Sequence, residues 1–372
     1  MSAVAVVMVS GLVALSLPGA AVAGPDEGHE RTRAAMDAVV RKGVPGVLVG
    51  TYDGKSWWDG SAGVANLTTR RPPRAGDHFR AGSITKTFVA TVVLQLEAKG
   101  DLRLDDTVEK WLPGMVRGNG NDGSKITIRQ LLNHTSGLYD YLKGLPTANW
   151  TTKKWLDHRF DSFKPEQLVA AAVSHAPTHQ PGGPHTYSNT NYVLASLIVE
   201  KATGHSYESE LRRRIIEPLN LKDTVLPGTD LSLPSPHGQG YTPFVEEPDV
   251  LHGVTEFNPS VIRGAGDLIT TTGDLDRFLT ALLNGKLLPP AQMKEMTTKV
   301  PGTNYGLGLA MLTTSCGVEL WGHNGAYAGT EAWTLGTRDA KHRLNLHFNT
   351  YTGNEAAAAE IADAAFCPSP SR

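Results

Sequence analysis

Ser83 and Lys86 stand three residues apart in the stretch AGSITKTF, Ala81 to Phe88. A serine hydroxyl is a weak nucleophile until a base takes its proton, and a lysine amine is such a base only when its pKa is depressed. Both needs are met if the pair opens a buried helix. Lys86 would then lie one turn inside, desolvated and near the positive end of the dipole, and both effects favour the neutral amine. The Ser83 N–H would point out of the helix start toward a developing oxyanion. The ordinary alternative is a capping serine with a solvated lysine, and the spacing alone does not exclude it. No other serine in the chain has lysine three residues on.

Two further constellations carry chemistry. Tyr187-Ser188-Asn189 is the one place with tyrosine followed two residues later by asparagine. A tyrosine near Lys86 can share its protons, as base toward Ser83 or as acid toward a leaving group. The asparagine amide can donate to a substrate carbonyl and accept from the lysine. The bland alternatives are a half-buried aromatic and a helix cap. Gly322-His323-Asn324-Gly325-Ala326 is the one His-x-Gly. Glycine in a strand lets another backbone approach closely, and an edge strand can hydrogen-bond an extended substrate. The Ala326 N–H would complete an oxyanion hole with that of Ser83. The bland alternative for His323 is a surface position before a turn.

The elements that must position these residues follow from periodicity. Gly46 to Val64 reads as two strands around a turn at Asp53-Gly54. In SITKTFVATVVLQLEAKGDL, Phe88, Val92, Leu96 and Val89, Val93 recur at helical spacing, and Gly100 suits the stop. TIRQLLNH, PEQLVAAAVSH, NYVLASLIVEKATG and GDLDRFLTALLNG read as helices, and the Pro-, Gly- and His-rich segment from Pro227 to Pro259 reads as loop. YGLGLAML, GVELWGH, EAWTLGT and HRLNLHFNT read as consecutive antiparallel strands before a closing helix that ends at Cys367. Early and late strands are expected to share one sheet. The helical middle, about residues 102–255, forms an inserted lobe with a cleft between.

The 372 residues suffice for a sizeable core. A net charge of -2 with interspersed signs argues against nucleic acid and anionic membranes as partners. Residues 1–23 are apolar and end in Ala21-Val22-Ala23, which predicts a cleaved signal peptide and a secreted protein. No Lys or Arg precedes the run, and an uncleaved anchor is the rival reading. No later segment is expected to cross a membrane. The two cysteines, Cys316 and Cys367, are then expected to pair. Closing so long a loop allows roughly 4 kcal/mol of stabilisation in the chain-entropy picture. The 13 histidines show no H-E-x-x-H spacing, and neither metal nor cofactor is expected.

Taken in this order, Ser-x-x-Lys, Tyr-x-Asn and His-x-Gly resemble the penicillin-recognising serine hydrolases of the class C beta-lactamase branch. LLNHTSGLYDY (Leu131 to Tyr141), YSNTNY (Tyr187 to Tyr192), YGLGL (Tyr305 to Leu309) and the late cysteine pair look most like the soluble actinomycete D-alanyl-D-alanine carboxypeptidases. The resemblance covers nearly the whole of residues 24–372. It implies an α/β (α+β) fold: an antiparallel sheet flanked by helices, an all-helical lobe, and the site between. It also implies acyl-enzyme chemistry, with Ser83 as nucleophile, Lys86 and Tyr187 handling its proton, Asn189 holding the acyl side and His323 orienting Tyr187. Peptidoglycan stem peptides or small esters and amides are the implied substrates, beta-lactams the acylating inhibitors, and a monomer is expected.

Two departures bear on the substrate. Where the carboxypeptidases carry Thr-Gly-Thr this chain has Asn324-Gly325-Ala326, and where they carry an arginine after Tyr-Gly-Leu-Gly-Leu it has Ala310. A lost charged contact to a carboxylate is worth roughly 1.5–3 kcal/mol. Arg263, just before GAGDL, is the candidate replacement cation, with a plain surface arginine as its alternative. Three enzymatic readings follow: a D-alanyl-D-alanine carboxypeptidase, an esterase or D-amino-acid amidase that needs no carboxylate clamp, and, more remotely, a beta-lactamase. A non-catalytic penicillin-binding sensor is the reading from another class, and it has no use for a nucleophile.

Overall fold

The computed structural model describes residues 28–145, 151–351 and 353–368. The expected signal peptide lies outside them. In chain order the main elements begin with α1 (Glu30–Arg41), β1 (Gly46–Tyr52) and β2 (Trp57–Gly63). A 3-10 turn at Gly82–Ile84 runs straight into α2 (Thr85–Lys99), which stops at Gly100 with φ 79°. The lobe follows with α3 (Ile128–Leu132), α4 (Pro165–Val173) and α5 (Thr190–Thr203). Then come β3 (Tyr241–Phe244), β4 (Glu247–Gly253) and α6 (Thr272–Leu283). The chain ends with β5 (Ala310–Thr313), β6 (Glu319–Tyr327), β7 (Thr330–Gly336), β8 (Arg343–Phe348) and α7 (Glu355–Phe366).

The first two and last four of these strands form one sheet of six in the order β2-β1-β8-β7-β6-β5. Each neighbour is antiparallel: Val49 faces Leu346, Trp333 faces Leu346 from the other side, and Asn324 faces Trp333. One face buries Val47, Val49, Leu344, Leu346 and Phe348 against Met36 and Val39 of α1 and Ile361 of α7. The other packs on α6 and on the α2 side of the main core. The β5 pairing reaches only Gly322, so the second half of β6 has no neighbour strand on that side among the described residues.

The helix α2 is buried almost all round, from Thr85 to Leu94, because it runs between sheet and lobe. Its hydroxyls are satisfied by backbone carbonyls: Thr85 Oγ1 donates to Gly82 O and Thr91 Oγ1 to Thr87 O within the same stretch, and Thr87 Oγ1 to the distant Gly308 O. The Cys316–Cys367 disulfide ties the β5–β6 turn to the end of α7. One expectation fails. The segment from Pro227 to Pro259 is not all loop, since it contains the β3–β4 hairpin. Strand alternation is hidden there by Pro243 and by the charged run of Glu246, Glu247 and Asp249. The helices α1 and Pro290–Thr297 were not anticipated either. Among the described residues, no helix is long and apolar enough to cross a membrane.

Candidate active site

Ser83 sits in the 3-10 turn at the head of α2, half-buried on the wall of a cleft of about 290 Å³. Glycine makes this position possible from both sides. Gly82 has φ 54°, and a methyl group there would lie 2.7 Å from Ala326 N. A methyl group on Gly325 would lie 1.9 Å from Ala81 O and 2.6 Å from Ser83 N. The half of β6 beyond its pairing with β5 therefore presses directly on the serine turn, which brings the Ser83 and Ala326 backbone amides to the same contact. Both residues line the cleft, together with Tyr187, Asn189, Asn324 and Tyr327.

Lys86 is fully buried. Its amine lies 3.0 Å from Ser83 Oγ, 2.8 Å from Asn189 Oδ1 and 2.8 Å from Ala265 O. Burial lowers its pKa to about 7, against the opposing pull of the Asp140 and Asp267 carboxylates. The two other acceptors decide what a neutral amine would do. Its two N–H bonds are claimed by Asn189 Oδ1 and Ala265 O, so its lone pair is left for the Ser83 hydroxyl. That is the arrangement of a general base on a nucleophile.

Tyr187 is half-buried, with its phenol hydrogen-bonded to Ser83. Burial pushes the phenol well above its usual pKa, and the Ser83 bond offsets this only in part. At neutral pH the group is a proton donor. The Lys86 amine lies 4.8 Å from the Tyr187 ring centroid. Asn189 stands at the N-cap of α5 but makes no cap bond with its side chain. Its Oδ1 accepts from Lys86 and its Nδ2 donates to Asp140 Oδ2 at 3.0 Å. Side-chain capping gives way to the lysine network.

His323 lies in the expected strand but hydrogen-bonds Tyr305 rather than Tyr187, and Arg263 is not at the cleft. His323 is buried, and its Nε2 lies 2.9 Å from the Tyr305 hydroxyl, while Nδ1–H donates to the Asn324 carbonyl. Burial lowers its pKa to about 4, so the ring is neutral. It reaches Tyr187 only through Tyr305, whose ring packs edge-on against Tyr187 at 6.4 Å. Arg263 does not face the cleft. Its guanidinium pairs with Glu200 at 2.6 Å and Glu208 at 3.0 Å and lies over the Tyr207 ring. Two carboxylates and an aromatic face are a stronger attraction than an open cleft. Ala310 opens β5 opposite Gly322. Asn324 and Ala326 line the cleft with Gly325 between them.

Two residues of the site went unassigned in the sequence. Asp140 is the carboxylate behind Asn189; burial raises its pKa, while the Leu142 N–H, Lys86 and Asn189 oppose that. His134 lies with its ring centroid 4.2 Å from that of Tyr187. Both belong to the LLNHTSGLYDY stretch, which marks the resemblance without stating a role.

Comparison with known proteins agrees with this geometry. The Beta-lactamase family model matches residues 27–366. The D-stereospecific amidohydrolase from Streptomyces sp. superposes with a TM-score of 0.84 at 44% identity, covering 91% of this chain and 98% of that one. The D-amino acid amidase from Ochrobactrum anthropi SV3, solved with D-phenylalanine, gives 0.79 at 27% identity over 91% and 98%. Penicillin-binding protein 4* of Bacillus subtilis (strain 168) is 31% identical over 319 residues, 81% of this chain and 66% of that protein. This chain thus spans just under two thirds of that relative's length. A match running from the head of α1 to the end of α7 embraces sheet, lobe and cleft together, and the protein belongs to the beta-lactamase family of serine hydrolases.

Proposed function

We propose that the protein is an acyl-enzyme-forming amidohydrolase for D-amino-acid amides and short peptides, with ester hydrolysis as a lesser activity. The cleft carries this reading: none of its described lining residues bears a positive charge, and Arg263 is committed elsewhere. A substrate ending in a free carboxylate would find no cation there. The likeness to the Streptomyces amidohydrolase supports the same reading.

In this mechanism Ser83 Oγ attacks the amide carbonyl as its proton passes to neutral Lys86. The Ser83 and Ala326 N–H groups receive the charge on the carbonyl oxygen. The C–N bond breaks as the Tyr187 phenol protonates the departing nitrogen, and the Lys86 ammonium then returns its proton to the Tyr187 phenolate, which leaves both groups in their starting states. Water then attacks the acyl ester, its proton leaves by the same network, and Ser83 regains its hydrogen. Amide and water become acid and amine. Beta-lactams would acylate Ser83 by the same first step. The disulfide supports an exported enzyme.

A D-alanyl-D-alanine carboxypeptidase is the second reading, favoured by the likeness to Penicillin-binding protein 4*. One experiment separates the two: release of ammonia from a D-amino-acid amide beside release of D-alanine from an acylated Lys-D-Ala-D-Ala peptide, with Ser83→Ala as control. Serine-dependent ammonia release that exceeds D-alanine release supports the amidohydrolase. The reverse order replaces it with the carboxypeptidase.

A further inference from the structure

His134 follows the C-cap of α3 with φ 59°, a left-handed position that normally goes to glycine or asparagine. A buried imidazole there implies a use for the ring. Its contacts show one. The His134 carbonyl accepts from the Thr186 N–H at 2.8 Å, and its Nδ1 accepts from the Ser188 N–H at 3.2 Å. Thr186 and Ser188 are the two chain neighbours of Tyr187. One residue thus grips the backbone on both sides of the tyrosine while its ring lies 4.2 Å from the phenol ring, tilted by 31°.

The tautomer is settled by the same bonds. Nδ1 also receives the Asn191 amide at 3.1 Å, so it is an acceptor and the proton sits on Nε2. Asn191 is held in turn by the Ser136 hydroxyl at 2.7 Å. Burial, with Lys86, His185 and His323 nearby, keeps the ring neutral and Nδ1 open as an acceptor. The remaining neighbours, Tyr192 and Tyr305 at 5.4 and 5.1 Å, close the box around it.

We infer that His134 is the positioning residue for Tyr187, clamping Thr186 and Ser188 so that the phenol stays on Ser83 where it can protonate a leaving nitrogen. This rests on the acyl-enzyme reading above and adds a residue to it. The clamp matters most for poor leaving groups. An amide nitrogen must be protonated to depart, whereas p-nitrophenolate leaves without a proton.

The test compares wild type, His134→Phe and His134→Asn. Phenylalanine keeps the ring and removes the acceptor. Asparagine keeps an acceptor at the same bond count from the backbone and tolerates positive φ. The expected result is that His134→Phe loses at least about tenfold more kcat/KM on a D-amino-acid amide than on p-nitrophenyl acetate, with the ratio largely recovered in His134→Asn. Equal losses on both substrates mean a merely structural residue and overturn the proposal. If the wild type hydrolyses the ester but no amide, the substrate reading above has failed. The clamp is then read from hydrogen exchange at the Ser188 amide. Faster exchange in His134→Phe, slowed again in His134→Asn, upholds the clamp; unchanged exchange overturns it.

Discussion

The two walls of the cleft are built differently. On the nucleophile wall, Ser83, Lys86, Asn189, Asp140 and Ala265 are linked by a continuous chain of hydrogen bonds around a fully buried amine. On the β6 wall, Asn324 and Ala326 lie beyond the β5 pairing, and no cation lines the cleft beside them. The first wall cannot change one residue without stranding its neighbours, because an unpaired buried polar group costs roughly 1–3 kcal/mol. The second can change with little cost to the fold. Chemistry is thus held by cross-bonded burial, and under the proposed function substrate choice falls to the β6 edge.

The largest effect is expected from breaking the first wall. Lys86→Met should lower kcat by about 10³-fold or more through loss of the base. In the wild type the protonated amine cannot accept the serine proton, so kcat/KM should rise with pH through about 7, and this limb should vanish in the variant. Stability carries the same signature. The folded state sheds the Lys86 proton near 7 and the unfolded state near the ordinary value of 10.5. Between these the unfolded chain binds more protons, so the Lys86 contribution to stability rises with pH across that window. Denaturation of Lys86→Met across the same range should lack the rise.

Asp140→Asn probes the back of that wall. The Asp140 carboxylate holds the Lys86 pKa up, so its neutralisation should move the acid limb of the pH–rate profile to lower pH. Loosened Asn189 should cost about tenfold in kcat/KM. A limb that stays in place would mean that Lys86 does not set it.

Changing the second wall should have a smaller effect and of opposite sign. Asn324→Thr and Ala326→Thr together, with Ala310→Arg, should raise D-alanine release from an acylated Lys-D-Ala-D-Ala peptide by about tenfold, near the low end for one charged hydrogen bond. No gain would mean that the wall does not decide carboxylate recognition. The smallest effect on turnover is expected from Arg263→Ala. It strands Glu200 and Glu208 and should lower stability by about 1–2 kcal/mol, with KM little changed. A large rise in KM would return Arg263 to substrate binding.

Much of the site was legible because its spacing is short. Ser83 and Lys86 lie one helical turn apart, and helical geometry alone brings them together. The sheet was legible from the short apolar runs of its late strands, set apart by Gly, Asn and Asp. What was not legible is what depends on partners distant in sequence. His323 was assigned to Tyr187 from its motif, yet Tyr305 intercepts it. Arg263 lies at the end of the 3-10 turn Pro259–Ile262 beside the cleft, yet Glu200 and Glu208 turn it away. The β3–β4 hairpin was lost behind proline and charge.

By itself, the sequence determined the residue types of the site, the helix that spaces Ser83 from Lys86, and the glycines that admit close backbone contact. Those follow from local geometry and from steric limits at single residues. Only the tertiary structure decided which groups became buried, and burial is what brings the Lys86 amine to about 7 and keeps Tyr187 protonated. It also decided which side chain received which partner, as with Asp140 behind Asn189 and His134 around Tyr187. The physical reason is the same in each case. Desolvation and hydrogen-bond choice depend on everything that packs around a group, and most of that is brought in from elsewhere in the chain.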